Sequence, residues 1–463
     1  MKRYAGRLVL PVVLLVAALV CWFVASQLGK ADSAEASTSS EAQSDVPVVS
    51  VRRLPEFATA SQSSDAMERA LASLPADPGG LSCAAIWVDG QPVFQLRSDR
   101  PLLPAFAQLA ITGHAALDVL GPDYTFETRV MALSGPDEEG TVAGGVYLVG
   151  GGDPVLMTDG YSRSFSPIRA TRTPLEVLAR AVADAGVTRI DGNVIAVEGR
   201  YDDQRALPGW PEAYLAPSVV GSLSALQVND GLGTDPETGP AVAAARLFDD
   251  LLESLDIRIT DSARSVGGDE DLTDAQTIAS ISSPPLSDIV FQMLAANDAG
   301  AAELLLKELA ADSGQLGTTQ AGAGIVQRVL RDQGVTVAIP FRDGSGVDPV
   351  GGTTCDQLVA TLDAVPDGHA TLGSLPSYDL PGVAAGRLQA VDISSDLRAI
   401  GGIQGDASGL VARTVDPGRR VTIASIVNRS NGPREADLAF QDALVAIVDD
   451  LRATVDIDLV SDG

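Results

Sequence analysis

A β-hairpin followed by an alanine-rich helix is the feature that most constrains how this chain folds. Residues 81–96 alternate apolar and polar side chains around Val88–Gly90, a pattern typical of two strands joined by a tight turn. The segment Leu103–Leu109 then leads into an apolar helix that ends at Leu120–Gly121. These elements predict a domain in which helices and strands share one core.

The rest of the chain falls into two regions of different character. Between Thr128 and Ser280, short strands alternate with turn signals and with helices such as Leu175–Ala185. Later elements are predicted at Leu286–Glu308, Gly322–Gln333, Leu410–Val415, Arg420–Val427 and Glu435–Ala453. The order predicts one α/β domain, residues 66–127 and 281–456, interrupted by a β-rich insertion domain at residues 128–280.

The N-terminal region is predicted to anchor the chain in a membrane. Three basic residues precede an uncharged stretch from Leu8 to Leu28, which is close to the roughly 20 residues that a membrane-spanning helix needs. Residues 1–30 are therefore predicted to be a cytoplasmic tip and an anchor, with the folded part outside the cytoplasm. The alternative is a cleaved signal peptide and a secreted protein. Residues 31–65, rich in Ser, Ala and acidic residues, are predicted to be a flexible linker.

Composition excludes several classes of function. The 463 residues are 45% hydrophobic and carry a formal net charge of −29, as expected of an ordinary globular protein with an acidic surface. Such a charge argues against nucleic acid as a partner, because no basic patch is available to displace counterions. The only histidines are His114 and His369, and Cys-x-x-Cys pairs are missing, so we expect no metal site and no cofactor.

The three cysteines do not form a disulfide framework. Cys21 lies inside the predicted anchor, so a bridge could join only Cys83 and Cys355. Their positions, at a strand start and in a helix, favour two separate, small, buried hydrophobic side chains.

Several short segments carry a resemblance to a known family. In chain order they are Leu120–Tyr124, Tyr147–Pro154, Ser224–Asn229, Ser283–Leu286, Ala302–Leu306 and Asp343–Gly346. With them, the chain resembles the class C penicillin-binding proteins, the D-alanyl-D-alanine carboxypeptidase/endopeptidase family. The resemblance implies a serine β-lactamase/transpeptidase-like domain of the α/β (α+β) class. Its antiparallel sheet would be flanked by helices and accompanied by the β-rich insertion.

The family's chemistry depends on three motifs that this chain does not carry. In the family, the serine of Ser-x-x-Lys attacks the D-Ala-D-Ala carbonyl and its lysine takes the proton, while Ser-x-Asn and Lys-Thr-Gly hold the substrate. The corresponding positions here are Phe106, Leu109, Asn297, Ala299, Ile400, Gly401 and Gly402. A phenylalanine cannot attack a carbonyl, and a leucine cannot accept a proton. The resemblance therefore implies the scaffold without the catalytic groups.

The distribution of lysine makes this conclusion independent of how the motifs are aligned. Lys2, Lys30 and Lys307 are the only lysines, and none has a serine three residues before it or Thr-Gly after it. Arg413–Val415 could stand in for Lys-Thr-Gly, but it lacks the glycine and lies too far along the chain. It is predicted to contain an edge-strand arginine.

Other candidate residues have structural interpretations. Ser345 lies in a Gly-Ser-Gly turn, and Gly150–Asp153 lacks the Lys and Ser/Thr of a phosphate-binding loop. His114 is predicted to pack within its helix. Asp298 and Glu303 are five residues apart, which does not suit an acid–base pair on one helix face. Glu303 is predicted to make a structural hydrogen bond.

The functional hypothesis is a penicillin-binding-protein homologue of the cell envelope that is catalytically inactive and acts by binding. Its expected partners are peptidoglycan stem peptides or envelope-assembly proteins, with the membrane contacted only through the N-terminal helix. The alternative is an active serine-type D-alanyl-D-alanine carboxypeptidase/endopeptidase that uses another nucleophile. A structural partner of an active paralogue is a third possibility.

Overall fold

The computed structural model describes most of the chain beyond its N-terminal region. It covers 67–75 and 81–453, apart from 163–169, 217–219, 233, 236, 267–269, 379, 381–387, 389–390 and 430–433. The predicted anchor, 1–30, and linker, 31–65, lie outside the described residues. In the part of the chain that is described, no helix is long and apolar enough to cross a bilayer.

The first sheet is antiparallel and has the strand order β13-β14-β15-β1-β2. Its strands are β1 (Ser82–Val88), β2 (Gln91–Leu96), β13 (Leu397–Gln404), β14 (Ala407–Thr414) and β15 (Val421–Asn428). The predicted hairpin is β1–β2, and its turn residues Asp89 and Gly90 both have positive φ angles, 50° and 79°. Such angles are those of a tight hairpin turn, which explains why Asp-Gly stands there.

Helices cover both faces of this sheet, which confirms the predicted α/β architecture. The alternation of β1 divides its side chains: Cys83 and Ala85 contact one helical layer, whereas Ala84 and Ile86 contact the other. The first layer contains α1 (Leu109–Leu120), α5 (Leu286–Ala296), α6 (Ala299–Asp312), α7 (Thr319–Asp332), α8 (Cys355–Ala364) and α9 (Ala370–Ser374). The second contains α10 (Arg434–Ala446) and α11 (Val448–Ala453).

The chain between β2 and the later strands of the first sheet builds three further sheets. Their strand orders are β11-β9-β5-β3-β12, β10-β8-β4 and β6-β7. The strands are β3 (Glu127–Ala132), β4 (Thr141–Ala143), β5 (Val146–Val149), β6 (Leu156–Met157), β7 (Thr173–Pro174), β8 (Arg189–Asp191), β9 (Val194–Val197), β10 (Arg258–Ile259), β11 (Arg264–Val266) and β12 (Gln276–Ser282). The helices are α2 (Asp159–Ser162), α3 (Leu175–Asp184) and α4 (Gly239–Glu253). Among the described strands, none of this region pairs with a strand of the first sheet. The domain boundaries 128–280 remain a prediction.

Two predicted helices were wrong in being continuous. The segment predicted as Leu286–Glu308 is divided into α5 and α6 at Asn297, which has a left-handed φ of 52°. Asp298 then caps α6, because its carboxylate accepts a hydrogen bond from the N–H of Ala301 at 3.0 Å. The apolar periodicity continues across this break, so it hides the two polar residues that end one helix and begin the next. The final predicted helix is likewise divided, into α10 and α11.

The interpretation of two cysteines as separate buried side chains was wrong. Cys83 on β1 and Cys355 at the start of α8 form a disulfide, with Cα atoms 6.0 Å apart. Both residues are completely buried, which was expected, but they lie opposite each other where α8 crosses the sheet. Proximity across 272 residues of sequence is set by tertiary packing and leaves no local pattern.

Arg413 is not an edge-strand arginine. It lies on β14, the second strand of the sheet, and its side chain is fully buried. The guanidinium donates hydrogen bonds to the carbonyls of Leu362 and Val365, both at 2.5 Å, and to Asp367 at 2.5 Å. Burial lowers the pKa of Arg413. This arginine holds the C-terminal end of α8 against the sheet, so it does not face solvent at an edge.

Candidate functional site

The start of α1 is a strained turn that presents Phe106. A short 3₁₀ helix, Ala105–Gln108, precedes α1, and Ala105 has a left-handed φ of 47°, which is unfavourable for a residue with a Cβ. Gly346 packs against this turn so closely that a side chain there would overlap the carbonyl oxygen of Ala105. Gln108 also donates to the carbonyl of Asp343 at 2.7 Å. Contacts from residues 343–346 therefore hold the turn in place.

Phe106, Asn297 and β13 meet at one place in the fold. A methyl group added to Gly402 would lie 2.6 Å from Cδ2 of Phe106 and 2.6 Å from Nδ2 of Asn297. Asn297 also donates a hydrogen bond from Nδ2 to the carbonyl of Gly401 at 3.2 Å. The glycine at position 402 thus allows an aromatic ring and an amide to pack directly on the strand. Three segments that are distant in sequence converge here.

Three further positions that were predicted to correspond to the motifs lie in the apolar interior. Leu109, Ala299 and Ile400 have no exposed surface. Leu109 and Ile400 belong to the core between α1 and the first sheet, while Ala299 packs in a smaller cluster with Leu304. The half-buried ring of Phe106 contacts both groups. The site is therefore built from apolar packing and one amide, and the motif-equivalent residues supply no nucleophile, base or cation.

A buried carboxylate cluster lies behind the turn. Glu303 on α6 is completely buried, and its Oε1 accepts hydrogen bonds from the N–H groups of Gly344 and Ser345 at 3.0 and 2.9 Å. The hydroxyl of Ser345 donates to the same oxygen at 2.5 Å and lies 3.2 Å from Oδ2 of Asp343. Burial, with the nearby Asp343 carboxylate, raises the pKa of Glu303 to about 8; burial also raises the pKa of Asp343.

These contacts give the earlier candidates structural roles. Ser345 is fully buried and hydrogen-bonded to Glu303, so it cannot reach a substrate. His114 is also buried; its Nδ1 lies 3.0 Å from the hydroxyl of Thr371 and its Nε2 lies 2.9 Å from Oε1 of Gln333. Burial lowers the pKa of His114. The expectation that these groups serve the structure agrees with their geometry.

The glycine run Gly150–Asp153 is a close-packed turn after β5. A side chain at Gly150 would overlap the backbone of Ala225, and one at Gly152 would overlap the phenol of Tyr201. The carboxylate of Asp153 accepts a hydrogen bond from the N–H of Val155 at 2.9 Å, and burial raises its pKa to about 6. Glycine is required here by neighbouring protein atoms.

Comparison with known proteins identifies the family. The model of the D-Ala-D-Ala carboxypeptidase 3 (S13) family matches residues 67–236 and 218–396. The chain belongs to the S13 family. This confirms the resemblance that the sequence motifs indicated.

Curated relatives are similar to this chain in sequence, and a solved structure shares its fold. A D-alanyl-D-alanine carboxypeptidase of Actinomadura sp. (strain R39) is 26% identical over 439 residues, covering 77% of this chain and 78% of the relative. A carboxypeptidase of Mycobacterium tuberculosis is 27% identical over 413 residues, covering 84% and 85%. Penicillin-binding protein 4 of Haemophilus influenzae has the same fold, with a TM-score of 0.66, 17% identity and coverage of 82% and 98%.

One polar cluster of this S13 protein was not found from the sequence. Glu308 on α6 is completely buried and accepts hydrogen bonds from Nε of Arg200 at 2.9 Å, from the Tyr124 hydroxyl at 2.5 Å and from the Tyr201 hydroxyl at 2.8 Å. Arg200 also forms an ion pair with it. The adjacent Lys307 is fully buried and paired with Asp202. Three separate segments contribute, so no sequence motif records the cluster.

Proposed function

We propose that this S13-family protein is a non-catalytic binding protein of the cell envelope that recognises peptidoglycan stem peptides without cleaving them. The observation that carries the proposal is the packing of Phe106 on Gly402 beside Asn297. An aromatic ring fills the place where the family's serine would attack. Because it has no nucleophilic atom, no acyl-enzyme can form at that position.

Replacement of the missing base is also unsupported. Of the three lysines in the sequence, Lys307 alone lies in the described residues. Its ammonium group is paired with Asp202 and donates a hydrogen bond to the carbonyl of Gln204 at 3.0 Å, and the side chain has no exposed surface. A buried lysine held by these two acceptors is not positioned to serve as the base for a nucleophile elsewhere.

The edge of β13 offers a way to bind a peptide without chemistry. Among the described strands, β13 has one neighbour in its sheet, β14; its other side makes a single bridge, between Ser377 and Arg398. The N–H of Ala399 donates to the carbonyl of Pro376 at 2.9 Å on that outer side. Since polar backbone groups alternate along a strand, those of Gly401 and Ile403 face the same way.

An extended peptide could therefore add to β13 as a further strand. Main-chain hydrogen bonds to Ile403 would supply affinity, and the half-buried ring of Phe106 would limit how deeply the peptide enters. Stem peptides suit this mode because the family model describes carboxypeptidases that act on D-Ala-D-Ala ends. Envelope-assembly proteins that present an extended segment would use the same edge.

The disulfide supports a location outside the cytoplasm. Disulfides persist in oxidising compartments and are rare in reducing ones, and the Cys83–Cys355 bond joins two core elements. We therefore place the folded domain on the outer side of the cytoplasmic membrane, held there by residues 1–30. Secretion after cleavage of that segment is the alternative.

Labelling with a fluorescent penicillin tests the absence of catalysis. The purified protein and an active S13 relative are incubated with the probe and compared after denaturing electrophoresis. We expect a band for the relative and none for this protein, whose fold is checked by circular dichroism. A label that survives denaturation would refute the proposal and establish the alternative, an active hydrolase; peptide mapping would then identify its nucleophile.

Calorimetry with a stem pentapeptide tests the binding role. We expect saturable binding with no release of D-alanine, and weaker binding by Ile403→Pro, which removes an outward-facing N–H that an edge strand can lose. Gln404→Ala is the matched control, because the backbone N–H and C=O of residue 404 face β14 and take no part in the outer edge. Equal binding by both variants, or no binding by the unmodified protein, would exclude the β13 edge as the peptide site.

A further inference from the structure

A cavity lies in the β-rich region, away from Phe106. It has a volume of about 320 Å³ and lies at the carboxyl ends of β5 and β9, which run parallel to each other. Crevices beyond the carboxyl ends of parallel strands are common ligand sites in open sheets. The cavity shares no lining residue with the Phe106 site, and about 14 Å of α6 separates Ala299 from Glu308, next to the cavity.

Two arginines line this cavity. Arg129 on β3 is 41% exposed, and its only partner in the described residues is Glu127, at 3.8 Å. An exposed ion pair of that length contributes little, so the Arg129 guanidinium remains available to a ligand. Arg200 is held by Glu308 through Nε and Nη2; within the described structure no protein atom accepts from its Nη1. In a chain with 61 acidic and 32 basic residues, two cationic groups on one cavity are notable.

The rest of the lining suits a small ligand with an apolar part. Val149 and Val197 are paired in register, Arg129 lies opposite Val149 on the neighbouring strand, and all three residues line the cavity. One wall is bare backbone: a side chain at Gly151 would overlap the carbonyl of Glu127. Tyr124, whose hydroxyl donates to Glu308, also lines the cavity.

We propose that this cavity binds a small carboxylate, such as the acid group of an N-acylated amino acid. The arginine guanidiniums would donate hydrogen bonds to the carboxylate oxygens of the ligand. The ligand's short side chain would lie on Val149 and Val197. Glu127 also lines the cavity, and its carboxylate repels a doubly charged phosphate more strongly than a singly charged carboxylate. A volume of about 320 Å³ is at the lower end of small-molecule sites, which excludes a bulky ligand. The site does not depend on the function proposed above.

Calorimetry with N-acetylalanine at low ionic strength tests this proposal, with N-acetylalaninamide as the uncharged matched ligand. We expect the acid to bind saturably and the amide not to bind. Arg129→Gln should weaken binding about tenfold, as expected for the loss of a charge-assisted hydrogen bond. Arg180→Gln, an exposed arginine on α3 outside the cavity, should leave binding unchanged. Val197→Phe should block the cavity.

Several results would overturn the assignment. Equal binding of the acid and the amide would show that the carboxylate is not recognised. Equal effects of Arg129→Gln and Arg180→Gln would show that the ligand does not bind in this cavity. If inorganic phosphate displaces N-acetylalanine and binds with the same affinity, the cavity is a non-selective anion site and the proposal is wrong. If Val197→Phe does not fold, the comparison of Arg129→Gln with Arg180→Gln and the comparison of the two ligands still decide the question. Ile403→Pro separates this site from β13, because it should leave N-acetylalanine binding unchanged.

Discussion

Removal of the Cys83–Cys355 disulfide should destabilise the folded domain strongly. The bond closes a loop of 272 residues, and the chain-entropy relation gives about 5.6 kcal/mol for a loop of that length. Native disulfides contribute roughly 2–5 kcal/mol, so this one is expected near the upper end of that range. The double variant Cys83→Ala/Cys355→Ala removes the bond and the two reactive thiols together.

Urea unfolding followed by circular dichroism measures the effect. With a slope of about 3 kcal/mol/M, a loss of 3–5 kcal/mol lowers the midpoint by about 1–1.7 M. Thiol titration of the denatured protein provides the control: one free thiol, that of Cys21, is expected without reductant and three after reduction. An unchanged midpoint with an unchanged slope would refute the reasoning, as would three free thiols in the unreduced protein.

Four further outcomes are expected. The pKa of Glu303 is raised to about 8, so its neutral form is favoured in the folded state. The free energy of unfolding should therefore fall as the pH rises from 4.5 to 8. The slope should reach up to about 1.4 kcal/mol per pH unit; Glu303→Gln should remove it in chemical denaturation across that range, and an identical pH profile would contradict this. Because burial lowers the pKa of His114, stability should be lost as the pH falls from 6.5 through the lowered value, and His114→Gln should flatten that acid limb; an unchanged limb would disprove the assignment. Gly402→Ala should cost about 1–3 kcal/mol through overlap with Phe106, and thermal denaturation should show that Phe106→Ala offsets part of this cost; strict additivity would argue against the contact. Phe106→Ser combined with Leu109→Lys should release no D-alanine from a pentapeptide and should lower stability by about 3 kcal/mol or more, because the lysine would enter a fully buried position; measurable turnover would show that the other two motifs are dispensable.

Local sequence patterns predicted the elements of the fold and its family. Alternation and an Asp-Gly turn identified the β1–β2 hairpin, and apolar periodicity identified α1, because both signals lie within a few residues of one another. The break at Asn297 was missed for the same reason: the apolar pattern runs on through it, while the left-handed residue and the Asp298 cap are single-residue signals. Elements were therefore more predictable than their ends.

Contacts between distant segments could not be predicted in this way. The Cys83–Cys355 bond and the burial of Arg413 depend on how α8 lies on the sheet. The four-residue group around Glu308 draws on three parts of the chain that carry no shared motif. The positions predicted to correspond to the family's motifs came from a family resemblance and from no local pattern in the sequence. Their packing on one another is a property of the tertiary structure.

The glycine at position 402 has a consequence for how this surface can change during evolution. Phe106 and Asn297 both occupy the space that a side chain on residue 402 would need. A larger residue at 402 is therefore acceptable only after Phe106 has become smaller or moved. The three positions form an epistatic set in which the order of substitution matters, because residue 402 can gain a side chain only after its neighbours have given up that space.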